Sequence, residues 1–147
     1  MKNQIYISWG SGNSIFYLPE FFPCTQVKLK KFVKLLKTDF ETRDENVNTC
    51  INHINERIDN ITDEMEEISR LYVNSSNEKS GLEDCIKWRR RSNGVPLRKD
   101  EIEKLKRSLY SVKRKLKALD DTFNTYGRTR NKLIKNLELF KKLCDIT

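Results

Sequence analysis

The sequence predicts a mainly helical α+β fold, in which an antiparallel coiled-coil hairpin projects from a small base carrying a β-hairpin. Three observations carry that expectation: a charged, glycine-poor composition, two matching heptad seams, and a short β-rich start. Of 147 residues, 34% are charged and only 37% hydrophobic, with 5 Gly and 3 Pro. That balance suits long amphipathic helices with solvated faces better than a thick globule. The length fits one domain, read as a base over 1–43, an arm over 44–126 with a basic tip at 87–99, and a C-terminal helix over 127–147 returning to the base.

The β-rich start comes first in the chain. Ile5, Tyr6, Ile7 and Trp9 form one run, Gly10 to Asn13 supply turn residues, and Ile15 to Leu18 form a second run closed by Pro19. This is a hairpin pattern. The glycines lack the spacing of a dinucleotide loop and the G-K-[ST] of a phosphate loop, so they read as a plain turn. A two-stranded hairpin alone is marginal in water and needs a helix to pack on. Thr25 is placed to cap that helix, whose apolar positions are Leu29, Phe32, Val33, Leu36 and Phe40.

The first seam runs through Val47, Ile51, Ile54, Ile58, Ile61, Met65, Ile68 and Tyr72 at spacings of 4 and 3 in strict alternation. The second runs through Ile102, Leu105, Leu109, Val112, Leu116, Leu119, Phe123 and Tyr126 in the same way. Sustained a/d repeats of this kind specify a coiled coil. Asp100 with Glu103 reads as the N-cap and acidic partner of the second helix. Folded back on each other, the equal seams set Tyr72 beside Ile102 and Val47 beside Tyr126. Gly127 and Arg130 interrupt the second seam, after which Leu133, Ile134, Leu137, Leu139, Phe140 and Leu143 give a broader apolar face that belongs to the base.

Charge is unevenly distributed. Residues 1–38 hold 6 Lys or Arg and 1 acid, 39–86 hold 4 and 13, and 87–147 hold 19 and 7, within a net +8. If the acidic and basic helices neutralised each other, the acids would occupy the e and g flanks; of them only Glu64 clearly does. Solvated faces, self-association through coiled-coil faces and an external polyanion or charged protein all remain open readings. A duplex wrapping the whole arm would be repelled by the acidic helix. The candidate contact surface is therefore the tip and the second helix: Lys87, Trp88, Arg89, Arg90, Arg91, Arg98, Lys99, Lys106, Arg107, Lys113, Arg114 and Lys117. The cations suit phosphates, and Trp88 either stacks on a base or caps the apolar end of the arm with Leu82, Ile86, Val95 and Leu97.

Other classes find little footing. Cys24, Cys50, Cys85 and Cys144 are scattered and His53 is the lone histidine, so no metal or cofactor is expected. His53 reads as an exposed position of the coiled coil, with no orienting partner for general base chemistry, and no enzyme is expected. No apolar run suits a signal peptide or a membrane span, which makes a cytoplasmic protein the expectation.

The strings IYISWGSGNSIFYLPEFFPCT and NGVPLRKDE resemble a family of short coiled-coil proteins carried by conjugative transposons, plasmids and phages of Gram-positive bacteria. Several proteins of such elements are similar in size and basic helical character to anti-CRISPR proteins. The resemblance implies a stoichiometric inhibitor of a CRISPR effector nuclease, occupying its guide RNA or a nucleic-acid surface. A net charge of +8 departs from simple DNA mimicry, which is typically acidic. The alternative is an accessory protein that binds RNA or DNA directly through the basic tip.

Overall fold

The computed structural model describes residues 3–10, 12–91 and 93–146. Strands β1 (Gln4–Trp9) and β2 (Gly12–Tyr17) are followed by the one-turn helix α1 (Leu18–Phe21), by α2 (Gln26–Thr38), and by the long helices α3 (Arg43–Trp88) and α4 (Lys99–Leu143). The expected α+β class with a helical hairpin is present. No helix among the described residues is long and apolar enough to cross a membrane. The chain divides into two compact units, Met1–Asp63 with Gly127–Thr147, and Glu64–Tyr126.

In the first unit β1 and β2 pair antiparallel, with Ile5 opposite Phe16 and Ile7 opposite Ser14. Ile5 and Ile7 are buried beneath the sheet, and Leu29, Phe32, Val33 and Leu36 form the buried stripe of α2. Thr25 caps α2 by accepting the Lys28 N–H at 3.3 Å. Phe16, Phe21, Phe22, Phe32 and Phe140 then interlock, with ring centroids as close as 4.5 Å and mostly edge-to-face geometry. Such pairs add about 0.5–1.5 kcal/mol each beyond their area burial. Leu133 and Phe140 of α4 and Val47, Cys50 and Ile54 of α3 complete this core.

Polar side chains pin its loops. Asn136 accepts the Cys24 N–H at 2.8 Å and donates to the Cys24 carbonyl at 3.0 Å, satisfying both amide ends while buried. Asp39 takes the Ser8 N–H at 2.9 Å and the Thr42 hydroxyl at 2.6 Å. These donors hold its carboxyl below the usual carboxylate range, the Ser8 N–H most strongly. The same residue explains a departure from expectation. Because Asp39 leaves the helix to make these bonds, α2 stops at Thr38 and Phe40 is 81% exposed, with the Arg43 guanidinium 5.8 Å from its ring centre, instead of lying on the apolar stripe.

His53 also differs from its expected surface position. It is buried, and its Nε2 has no hydrogen-bond partner. Here α3 is covered on more than its a/d seam, since Asn46, Cys50 and His53 are buried beside Val47 and Ile54. Burial, reinforced by Arg57, pushes the imidazole below its ordinary pKa.

The second unit has a thinner core. Ile68, Ser75, Val112 and Leu116 are its only buried side chains among the described residues. The helix pairing here differs from the expected register. Tyr72 shares a cleft with Leu119 and Phe123, not Ile102, and Cys85 lies with Leu105 and Ser108. In the first unit Val47 lines a cleft with Cys144 and Ile146, and Arg130 donates to Thr62 at 3.3 Å. The offset is about five helical turns. Its cause is that α3 does not stop near residue 73: Ser75 and Lys79 hold the next seam positions, and half-buried Leu82 and Ile86 resume it. Polar seam residues hid 15 residues of helix, 74–88. Likewise α4 runs unbroken through Gly127, so 127–143 is the continuation of one helix, and Gly127 falls at the boundary between the units.

Candidate nucleic-acid interface

The site is built from the connection between α3 and α4. Arg89 adopts the left-handed conformation, φ +52°. Its N–H donates to the Ile86 carbonyl at 3.3 Å, and the Arg90 N–H reaches back to the Cys85 carbonyl at 3.2 Å. Those two bonds define a Schellman stop, a motif in which glycine usually fills the left-handed position. Arginine there carries a steric cost of roughly 1–2 kcal/mol.

The chain then turns tightly. Arg91 N–H donates to the Val95 carbonyl at 2.7 Å, Gly94 N–H to the Arg91 carbonyl at 2.8 Å and Leu97 N–H to the Arg89 carbonyl at 3.0 Å. Gly94 has φ +85°, which favours glycine. Asn93 accepts the Val95 N–H at 3.1 Å, and Arg90 Nη1 donates to the Gly94 carbonyl at 3.3 Å. The turn is therefore internally fixed.

The helix that follows starts two residues earlier than its sequence signature suggested. Arg98 is the residue before the first turn, its carbonyl accepting from the Ile102 N–H at 3.0 Å. Glu101, not Glu103, reaches back toward the Arg98 N–H at 3.4 Å, the reciprocal half of a capping box. Glu101 also accepts from Arg98 Nε at 3.0 Å and from Arg91 Nε at 3.1 Å, with a second contact from the Arg91 Nη2. Hydrogen bonds from Arg91 and then Arg98 lower its carboxyl pKa to about 2. Glu101 thus clamps one arginine before the turn and one after it.

All twelve predicted contact residues are exposed. They do not share one role. Arg91 and Arg98 are held by Glu101, and Lys106 lies 3.8 Å from Glu103. Lys87, Arg89, Arg90, Lys99, Arg107, Lys113, Arg114 and Lys117 make no ion pair among the described residues, and neither do Lys104 and Lys115, which widen the surface beyond the residues expected. Within Glu64–Tyr126 no acid of α3 pairs with a base of α4. The helices do not neutralise each other there.

Trp88 is 65% exposed, with the Lys87 ammonium 5.1 Å from its ring centre. It therefore does not cap the apolar end of the helices. Sequence reasoning missed Tyr110, 64% exposed on α4 with the Arg114 guanidinium 5.9 Å from its ring centre. Its signal was present: an aromatic off the a/d seam, three and four residues from Arg107 and Arg114. Each aromatic with its cation offers a flat face beside a positive charge, as base stacking on a phosphate-tracking surface requires.

Among the described residues no cluster of His, Cys, Asp or Glu is placed to hold a metal ion, and the four cysteines are free. Comparison with protein-family models, curated proteins and solved structures finds no match.

Proposed function

We propose that this protein is a non-enzymatic binder of nucleic acid, acting through the turn between α3 and α4 and the outward face of α4. One observation carries the reading. Residues 87–117 hold 13 Lys or Arg against 3 acids, and among the described residues only Arg91, Arg98 and Lys106 of these cations are ion-paired. The ten remaining cations flank two exposed aromatic rings. Phosphate neutralisation supplies affinity on such a surface, and the rings supply stacking.

The resemblance of the sequence to mobile-element proteins supports a CRISPR effector nuclease or its guide RNA as the partner, whose engagement would block target cleavage. A basic surface favours RNA capture over imitation of DNA.

The test is a mobility-shift titration against single-stranded RNA at several salt concentrations. Replacing Lys87, Arg89, Arg90 and Lys99 together by Ala leaves the Glu101 clamp intact. The substitution weakens binding at least about tenfold and flattens the salt slope by roughly one unit for each lost phosphate contact. Absence of any complex at low salt overturns the nucleic-acid reading. Unchanged target cleavage when the protein is added to a panel of effector complexes removes the inhibitor reading and leaves the other standing.

A further inference from the structure

The two edges of the hairpin are treated differently. Leu18 N–H donates to the Asn3 carbonyl at 2.8 Å, while Tyr6 accepts from Asn46 Nδ2 at 2.7 Å and Ser8 N–H donates to Asp39. In an antiparallel pair, successive residues point their backbone groups alternately toward and away from the partner strand. Tyr6 and Ser8 thus face outward, and the side chains of Asn46 and Asp39 close the β1 edge. Their cross-strand partners, Ile15 and Asn13, and Tyr17 with them, turn their N–H groups outward from β2. No described group of this chain meets those N–H groups.

Protected edges usually carry lysine, proline, a bulge or a covering element. β2, with the sequence GNSIFY, has none of these. Residues 3–19 form the longest stretch of the chain without Lys, Arg, Asp or Glu, in a protein where 34% of residues are charged. The outward face beside the open edge is apolar, with Tyr6 59%, Ile15 58% and Tyr17 43% exposed.

We infer that the β2 edge is an interface for β2 of a second copy of this chain, giving a continuous four-stranded antiparallel sheet. The register argues for a copy over a foreign strand. A twofold axis at Ile15 sets Ile15 opposite Ile15 of the second copy and Asn13 opposite Tyr17, so the residues with outward backbone groups pair with one another. That is the self-complementarity an isologous contact requires. The absence of charge lets two strongly basic molecules meet here without local repulsion. The same pairing extends the Tyr6, Ile15 and Tyr17 face across both copies.

The test is sedimentation equilibrium of the full chain through the micromolar range, with circular dichroism and thermal melting as folding controls. The wild type approaches twice its 17.5 kDa with rising concentration. Ile15→Lys puts two like charges at the axis and abolishes the dimer. Ile15→Pro removes an N–H that points away from β1 and so spares the β1–β2 ladder bonds, and it has the same effect on the dimer. Ile15→Lys acts on an exposed side chain and keeps the melting curve that the wild type shows when diluted to monomer, so loss of the dimer is not loss of fold. A wild type monomeric throughout overturns the inference, including when its edge captures an unrelated strand. So does a dimer that survives Ile15→Lys in a folded protein, because it then uses another surface.

Discussion

The two units of the chain differ in what they bury. The first holds an aromatic cluster in which Phe22 and Phe140 are almost inaccessible, together with Ile5, Ile7, Leu18, Leu29, Leu36, Ile54 and Leu133. The second buries Ile68, Val112 and Leu116 around a serine and leaves most of its seam half-exposed. Burial of apolar area stabilises by about 25 cal/mol per Å², so folding free energy is concentrated in the first unit. The second unit carries the surface proposed for binding on two helices with little core between them. Stability and binding are therefore separable by mutation, since the residues that supply one are not those that supply the other.

The largest effects expected follow from that division. Phe140→Ala empties the centre of the aromatic cluster and should cost about 3–5 kcal/mol of unfolding free energy. Leu116→Ala removes one of three buried aliphatic side chains from a site already 8% exposed. Its neighbours can close over the gap, so its cost should fall near the low end of the range for such changes, about 2 kcal/mol. Denaturant titration of both variants checks the order, and native-state hydrogen exchange should show the amides of 64–126 opening at lower free energy. A larger loss for Leu116→Ala would break the comparison.

A smaller effect concerns His53. Burial lowers its pKa in the folded chain, so the unfolded chain binds the proton more readily. The contribution of neutral His53 is fully present above the ordinary value of about 6.5 and declines as pH falls below it, by at most about 1.4 kcal/mol per pH unit. His53→Leu removes that dependence. It also removes a buried nitrogen without a partner, which should stabilise the protein at neutral pH by about 1 kcal/mol. Thermal melts of both proteins between pH 7.5 and 5 should diverge, the wild type losing stability faster as pH falls. An equal decline in the two would place the pH sensitivity elsewhere.

Much of this organisation was legible from spacing. The hairpin, the Thr25 cap, the two seams and the exposure of the basic surface each follow from a local pattern of two to seven residues. What escaped were features set by polar residues in tertiary roles. Ser75 and Lys79 occupy seam positions and concealed the continuation of α3, which displaced the expected register by about five turns. Asp39 ended α2 because a β1 backbone N–H, 31 positions away in sequence, needed an acceptor. His53 looked solvated because a heptad wheel counts faces within a pair of helices and cannot include the third element that covers one of them. Glu101 was hidden by Glu103, a nearby acid at an equally plausible capping position.

The smallest effect is the one that best separates the two units' roles. Arg89 stands at the left-handed stop of α3, where glycine avoids the steric cost. A residue kept against its backbone preference points to what its side chain does. Arg89→Gly should therefore raise stability by about 1 kcal/mol, read as a higher melting temperature. Its RNA affinity should fall at the same time, because the side chain lost is one of the unpaired cations. Arg89→Ala retains the left-handed strain while losing the same charge, so its affinity should drop equally with little change in melting temperature. If Arg89→Gly gains stability and binds RNA as tightly as the wild type, the strain has no binding role, and the contact surface contracts to α4.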